Sequence, residues 1–411
     1  MDAQVGTRRL LAINNYFYRR GGAETIFLEH IKLFSGDGWE TVPFSMHHPN
    51  NLASPWSSYF VPEIEYGRQQ GALTKIKHAA EVIYSRAAQR NIKALIEKTR
   101  PAVAHAHNIY HHLSPAIFST LRAEGIPVVM TTHDLKLACP AYKMLSHGRV
   151  CEKCRGGHIY NVVANRCVKE SLAVSSVVFA ETLVHRMLGL YRNNVDRFVV
   201  PSRFYREKLI EWGWPGDKLI YIPNFVDVAD LRTDWQEGDY FLFAGRLAPE
   251  KGLETLIRAS AISGQKVVIA GTGPDEIALK ALAEASGANV RFAGFVTGND
   301  LFQLIGQSKA LVLPSEWYEN APVSILEAYG LGRPVIGARI GGIPEMIVEG
   351  ETGRTANSGD PSDLARVMTA MAALPDAARK AMGMAGRAWV VEEFSSSAYR
   401  DRIKALYEKL M

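Results

Sequence analysis

The sequence predicts an α/β protein built from two doubly wound parallel-sheet domains that face each other across a cleft. Three observations carry this expectation. Short apolar runs such as Leu10 to Asn14, Val128 to Thr132, Phe198 to Pro201 and Tyr240 to Ala244 have the length and composition of strands buried on both faces. Helical patterns alternate with these runs, and a βαβα order means a parallel sheet with helices packed on it. The alternation occurs in both halves, on either side of an acidic, turn-rich stretch from Asp227 to Asp239. Residues 1–226 therefore form the first expected domain, 227–239 the linker, 240–390 the second domain and 391–411 a terminal helix.

Composition narrows the class. The 411 residues are enough for two or three domains, and 47% hydrophobic with 22% charged is ordinary for a soluble globular protein. A formal net charge of +5 suits a phosphate-bearing ligand or an anionic membrane surface and does not by itself imply nucleic acid. The opening RRLLAINNYFYRR is broken by Asn14 and Asn15 and shows no secretory signal. The most lipid-like window, Ser171 to Leu190, carries Glu181, His185 and Arg186, which argues against a transmembrane helix. A cytoplasmic protein with peripheral membrane contact fits these features best.

In the first half, the strand at Leu10 leads into Gly21-Gly22 and a helix with Phe27, Ile31 and Phe34 on one face. Glycine lets backbone N–H groups approach a phosphate, so this turn reads as a phosphate cradle or, equally well, as a plain tight turn. Thr41 to Met46 supplies a second strand. Ala72 to Lys98 reads as one long helix with Lys75, Lys77, His78, Arg86, Arg90 and Lys93, a solvated basic face or a membrane-surface helix. Val103 to His107 puts His105 and His107 on one face. The strand at Val128 ends in His133-Asp134, where open α/β sheets bind ligands. A helix from Arg203 to Trp212 separates the strands at Phe198 and Leu219.

In the second half, Gly245-Arg246 and Lys251-Gly252 set two cations five residues apart in a glycine-bounded loop, so that both reach one anion or form a surface ion pair. Gly271 and Gly273 lack a third glycine, because position 276 is Glu276, which excludes a dinucleotide fingerprint. The stretch from Pro314 to Glu345 packs a strand end, a polar loop, a helix, a second strand and Gly341-Gly342 into one unit. Glu319 lies in the loop and Glu327 on the helix, with seven residues between them. That spacing suits gripping two parts of one ligand better than sharing a proton. The backbone N–H groups of Val323 and Ser324 open the helix, where an anion is favoured.

PSxxE, NAPxSxLEA, GxPVI and GGIPE, in that order, resemble the donor-binding signature of family 4 retaining glycosyltransferases, which share the GT-B fold of two Rossmann-like domains. The resemblance extends over most of the chain. It implies that Glu327 holds the nucleotide ribose and Glu319 lies against the donor sugar. Arg246 and Lys251 would bind the donor diphosphate, with Gly245 opening their loop. Gly21 and Gly22 would face the phosphates, and Asn320, Ala321, Val323 and Ser324 would complete the donor site. It also implies a role for His133 at the acceptor or reaction centre, and a terminal helix that crosses back to the first domain. Asn224-Phe225-Val226-Asp227 resembles the family's hinge, with Phe225 where glycine is commoner. The donor would be a nucleotide-diphosphate sugar of UDP or GDP type. The acceptor would be a glycan or a polyprenyl-diphosphate-linked chain in polysaccharide or cell-surface glycan assembly. The chain contains no Asp-x-Asp, which agrees with cationic side chains instead of a metal ion on the diphosphate, so catalysis is expected to need no cofactor.

Cys139, Cys151, Cys154 and Cys167 all fall within a segment at about 135–170 that the resemblance does not require. Their spacing argues for a four-thiolate structural zinc site, with reduced structural or redox thiols as the alternatives. Three rival functions compete with glycosyl transfer. A nucleotide-sugar epimerase or phosphorylase would share the architecture, but the two donor motifs argue against both. A dehydrogenase needs the missing glycine fingerprint. A zinc-ribbon protein that binds nucleic acid needs more basic residues than Lys153, Arg155, Arg166 and Lys169, so nucleic acid is not an expected partner.

Overall fold

In a computed structural model, residues 8–63, 72–110, 112–229, 231–233 and 238–411 are described. The side chains of Lys75 and Lys77 and the linker positions 230 and 234–237 lie outside the described residues. The strands in chain order are β1 (Arg9–Ile13), β2 (Glu40–Phe44), β3 (Val103–Ala106), β4 (Val128–Thr131), β5 (Leu145–Ser146), β6 (Arg149–Val150), β7 (Arg197–Val200), β8 (Leu219–Tyr221), β9 (Tyr240–Ala244), β10 (Lys266–Ala270), β11 (Val290–Gly294), β12 (Leu311–Leu313), β13 (Val335–Ala338) and β14 (Gly353–Ala356).

They form two six-stranded sheets, ordered β2-β1-β3-β4-β7-β8 and β11-β10-β9-β12-β13-β14, and a small β5–β6 hairpin. Every pairing in the two large sheets is parallel. Parallel strands need crossover helices, and helices on both faces explain why segments such as LLAI and VVMT are apolar throughout. Each sheet reverses its strand order once, at β1/β3 in the first and β9/β12 in the second. Loops diverge there at the carboxyl ends of the strands and leave a crevice.

The expected long helix at 72–98 is two helices, Ala72–Ile83 and Arg86–Thr99. Ser85 makes the break: its hydroxyl accepts from Ala88 N at 3.1 Å and caps the second helix, a side-chain bond that competes with helix continuation. The basic residues of 72–98 therefore belong to two helices instead of one.

The chain crosses between the sheets twice, and the crossings pair with each other. Val226 N donates to Phe394 O at 3.0 Å, beside a parallel bridge from Val226 to Ser395. The terminal helix Ser396–Glu408 returns to the first sheet and buries Tyr399, Ile403, Leu406 and Tyr407 against Leu10, Ile26, Phe34 and Val103. Each such large apolar side chain contributes about 1.5–3 kcal/mol when fully buried. The helix therefore anchors the second half onto the first.

Candidate active site

The loops after β9 and β12 flank the second sheet's switch point, and they meet directly. Lys251 Nζ donates to Glu319 Oε1 at 2.7 Å, and Ser315 Oγ donates to the same oxygen at 2.8 Å. Glu319 is buried. Burial would raise its pKa, but the Lys251 charge and these hydrogen bonds prevail and hold the carboxyl below its usual range. The Lys251 ammonium also lies over the Trp317 ring, 5.3 Å from its centroid. Arg246 does not share this partner. It donates to Glu250 Oε1 at 3.0 Å and stays mostly exposed.

Glycine makes the close approach possible. A Cβ on Gly252, at φ +67°, would stand 2.0 Å from Pro314 O, and one on Gly342 would stand 1.9 Å from Asn320 O. Gly342 N donates to Glu319 O at 2.8 Å, which fixes the loop that carries the carboxylate. At Gly21 and Gly22 no such constraint acts: a Cβ at Gly22 would meet nothing within 4 Å. Gly21 precedes the helix Gly22–Gly36 in extended backbone, with φ near −164°. Arg19, just before this turn, pairs with Glu29, and its charge also acts on Glu327. Burial raises the Glu327 pKa, and the Arg19 charge opposes part of that rise.

The loop from Ser315 to Asn320 is also where the halves join. Asn320 Nδ2 donates to Thr132 O at 2.9 Å, and Asn320 Oδ1 accepts from Ser202 Oγ at 2.8 Å. Ala321 O accepts from Asn224 Nδ2 at 2.8 Å, and Tyr318 O from Tyr205 OH at 2.8 Å. The Asn320 side chain and the Ala321 carbonyl, expected on the donor, thus bridge the two sheets. Val323 and Ser324 begin the helix Val323–Gly330, with Pro322 as its N-cap one residue earlier. Glu345 of the GGIPE motif accepts from the backbone N–H groups of Arg203 at 3.0 Å and Phe204 at 3.2 Å, and so caps the helix Arg203–Glu211 of the opposite half. Nothing in the sequence announces that cap, because its partners lie 142 and 141 residues away.

His133 follows Thr132 at this junction, and its Nε2 pairs with His107 Nδ1 at 2.8 Å. Behind them lie His105 and His30. His105 Nδ1 pairs with Tyr407 OH at 2.5 Å and its Nε2 with Thr131 Oγ1 at 2.7 Å. His30 Nδ1 pairs with Tyr399 OH at 2.9 Å. Burial pushes the His133 pKa down to about 4 and the His30 pKa to about 3, and drives His105 and His107 well below the usual range. His30, His105 and His107 form the one trio among the described residues whose ligand atoms lie within 4.8 Å of one another. Most of their nitrogens are committed to tyrosine, threonine or histidine partners, so the trio reads as a buried neutral network. The sequence reading missed His30, Tyr399 and Tyr407, which come together only when the terminal helix docks. It also missed Glu250, Ser315 and Trp317, although PSEW beside the Glu319 motif was a signal for the last two.

The four cysteines are unpaired thiols that line one small cavity, together with Met144, Leu145 and Trp212. Burial pushes Cys139 up to about 11 and, with the neighbouring thiols, Cys154 up to about 12. Thiols held neutral in this way are poor redox nucleophiles.

Comparison with known proteins agrees with this layout. Residues 20–230 match the model of Glycosyltransferase Family 4, and residues 233–389 match that of Glycosyl transferases group 1. Over 205 residues the chain is 32% identical to the D-rhamnosyltransferase WbpZ of Pseudomonas aeruginosa, a match covering 45% of this chain and 52% of that protein. The chain thus spans about half the length of that relative. The fold is similar to sucrose-phosphate synthase from Thermosynechococcus elongatus, with a TM-score of 0.73 at 20% identity over 98% of this chain and 99% of the other. It is also similar to Alr3699/HepE of Anabaena in complex with UDP and glucose, with a TM-score of 0.68 at 16% identity over 98% and 100%. Two parallel sheets that meet at their switch-point loops, with both halves matched by family models, identify the chain as a member of glycosyltransferase family 4 with the GT-B fold.

Proposed function

We propose that the protein is a retaining, metal-independent glycosyltransferase. It would move a sugar from a nucleotide-diphosphate donor, of UDP or GDP type, to a glycan or lipid-linked acceptor in the assembly of polysaccharide or cell-surface glycan. The observation that carries this reading is the meeting of Lys251 and Glu319 at the second sheet's switch point, in the loop that leads into the helix at Val323. As the glycosidic bond to the diphosphate breaks, negative charge develops on the leaving group. Lys251, the exposed Arg246 and the N–H groups of Val323 and Ser324 would stabilise it without a metal ion. Glu327, whose carboxyl burial raises while the Arg19 charge opposes part of that rise, would accept from the ribose hydroxyls. Glu319 would orient the sugar. The Trp317 side chain also acts on the Glu319 carboxyl and helps to hold it below its usual range. Retention follows if the acceptor attacks from the face the leaving group departs, with a diphosphate oxygen taking its proton, and no enzyme nucleophile is then needed.

Thermal shift against a panel of UDP and GDP sugars identifies the donor, because a ligand that binds only the folded state raises its melting temperature. Glu327→Ala should lose about tenfold or more in affinity for that donor, roughly the 1.4 kcal/mol or more of a hydrogen bond to a charged group. NMR of the product should show the donor's anomeric configuration kept. An inverted product, or unchanged donor affinity in the variant, would count against the reading.

A further inference from the structure

We propose that Cys139, Cys151, Cys154 and Cys167 bind one zinc ion, and that the metal braces the two donor-site loops of the opposite half. Several features of the segment point this way. All four sulfurs face one small cavity, and none is in a disulfide. Cys151 and Cys154 supply a C-x2-C knuckle just after the β5–β6 hairpin, and Cys139 and Cys167 line the same cavity.

The segment joins the main core of its half at Leu135, Leu137, Ala138 and Met144 but has little core beyond them. Its own apolar cluster is only Ala141, Val162 and Val178 with a few partly buried neighbours. Yet Tyr142, Met144, His147, Arg166, Lys169 and Glu170 all sit at positive φ, six of the eight such non-glycine residues among the described residues. Backbone of that kind persists only where its surroundings over-determine it, and a small unit with little core obtains this from a staple. Zinc bound by four thiolates carries two net negative charges after four protons leave, and cations must answer them. The positive charges of Lys153 and Arg186 act on Cys167 and Cys154.

No three of the sulfurs lie within 4.8 Å of one another, so bonds of about 2.3 Å require the thiols to draw inward as the ion enters. That closure tightens a surface which touches the donor site twice. Lys143 Nζ donates to Glu250 Oε1 at 3.1 Å, in the Arg246–Lys251 loop. Glu152, inside the C-x2-C knuckle, accepts from Tyr318 OH at 2.8 Å, in the loop that carries Glu319. The bracing arm rests on these contacts and the metal arm on the cysteines, so both can be judged whether or not glycosyl transfer is the activity.

The full chain, purified without oxygen or chelator, is analysed for metal by plasma mass spectrometry. About one zinc per chain is expected. A mercurial should release that zinc as the four thiols react, and cobalt(II) in its place should show the thiolate charge-transfer and intense d–d bands of a tetrahedral sulfur site. Zinc-free protein whose thiols react freely or are paired as disulfides would overturn the metal site. The Cys151→Ser, Cys154→Ser double variant should bind no zinc; if it fails to fold, the wild-type metal content and cobalt spectrum decide. Hydrogen–deuterium exchange before and after zinc release tests the brace. Amides at 250–252 and 315–320 should exchange at least several-fold faster in the stripped protein, and unchanged exchange there would overturn the bracing role.

Discussion

The two halves meet the same cleft with opposite electrostatics. The first half offers a stack of histidines at the ends of its strands, His133, His107, His105 and, behind them, His30, all kept neutral by burial. The second half offers formal charges in contact, Lys251 on Glu319 and Arg246 on Glu250. A neutral imidazole wall cannot neutralise a diphosphate, whereas the second half's cations can turn from carboxylate to phosphate. The difference assigns rigidity to one face and charge stabilisation to the other.

Acid tests that contrast most severely. Each buried histidine has a folded pKa below the unfolded value near 6.5, so its neutral form contributes stability fully above that pH, and the contribution is lost as pH falls toward the folded value. At pH 5 this amounts to about 2 kcal/mol per histidine, or several kcal/mol for the stack. Asp134 acts in the other direction. Burial raises its pKa to about 6, so its contribution grows as pH falls from there toward 3.8. Glu24, Glu327 and Glu345, also raised by burial, act in the same direction as Asp134, but their shifts are smaller than those of the histidines and do not offset them. Urea midpoints should therefore drop steeply between pH 7 and pH 5, and a flat profile would show that the stack is not held neutral.

Lys251→Ala should lower turnover by about 10²–10³-fold, the scale of losing one preorganised charge-stabilising donor. It also leaves Glu319 buried without its cation, so steady-state kinetics should be paired with a melting curve to separate the effects. Parent-level turnover would remove the second half's charge from the mechanism.

Tyr407→Phe is the mildest probe. It removes the hydroxyl that pairs with His105 and, at 3.2 Å, with His30 Nε2. The expected cost is about 1–3 kcal/mol of stability, with donor affinity unchanged. A change in donor affinity by titration calorimetry would mean that the histidine stack reaches the donor after all.

Much of this was legible in the chain. Two rounds of apolar strands and alternating helices are local patterns, and they specify parallel sheets because only a crossover helix joins parallel strands. Lys251 and Glu319 were readable as candidates because each sits in a glycine- or proline-bounded loop after a strand. Their partners were less so. Arg246 and Lys251 were readable as cations for one anion, but their separate carboxylate partners here, Glu250 and Glu319, were not. The break at Ser85 was hidden by a basic pattern that continues across it.

By itself the sequence determined the strands, the crossovers, the glycines that let two loops touch and the clustering of four cysteines in one segment, all of which follow from side-chain period, backbone freedom and spacing. Only the tertiary structure decided that Asn320 bridges to Thr132, that Glu345 caps a helix of the other half and that the last helix closes a histidine network with two tyrosines. Those contacts join residues from about 140 to more than 370 positions apart. Hydrogen bonds over such separations leave no period in a chain, and they exist only once both sheets have folded and docked.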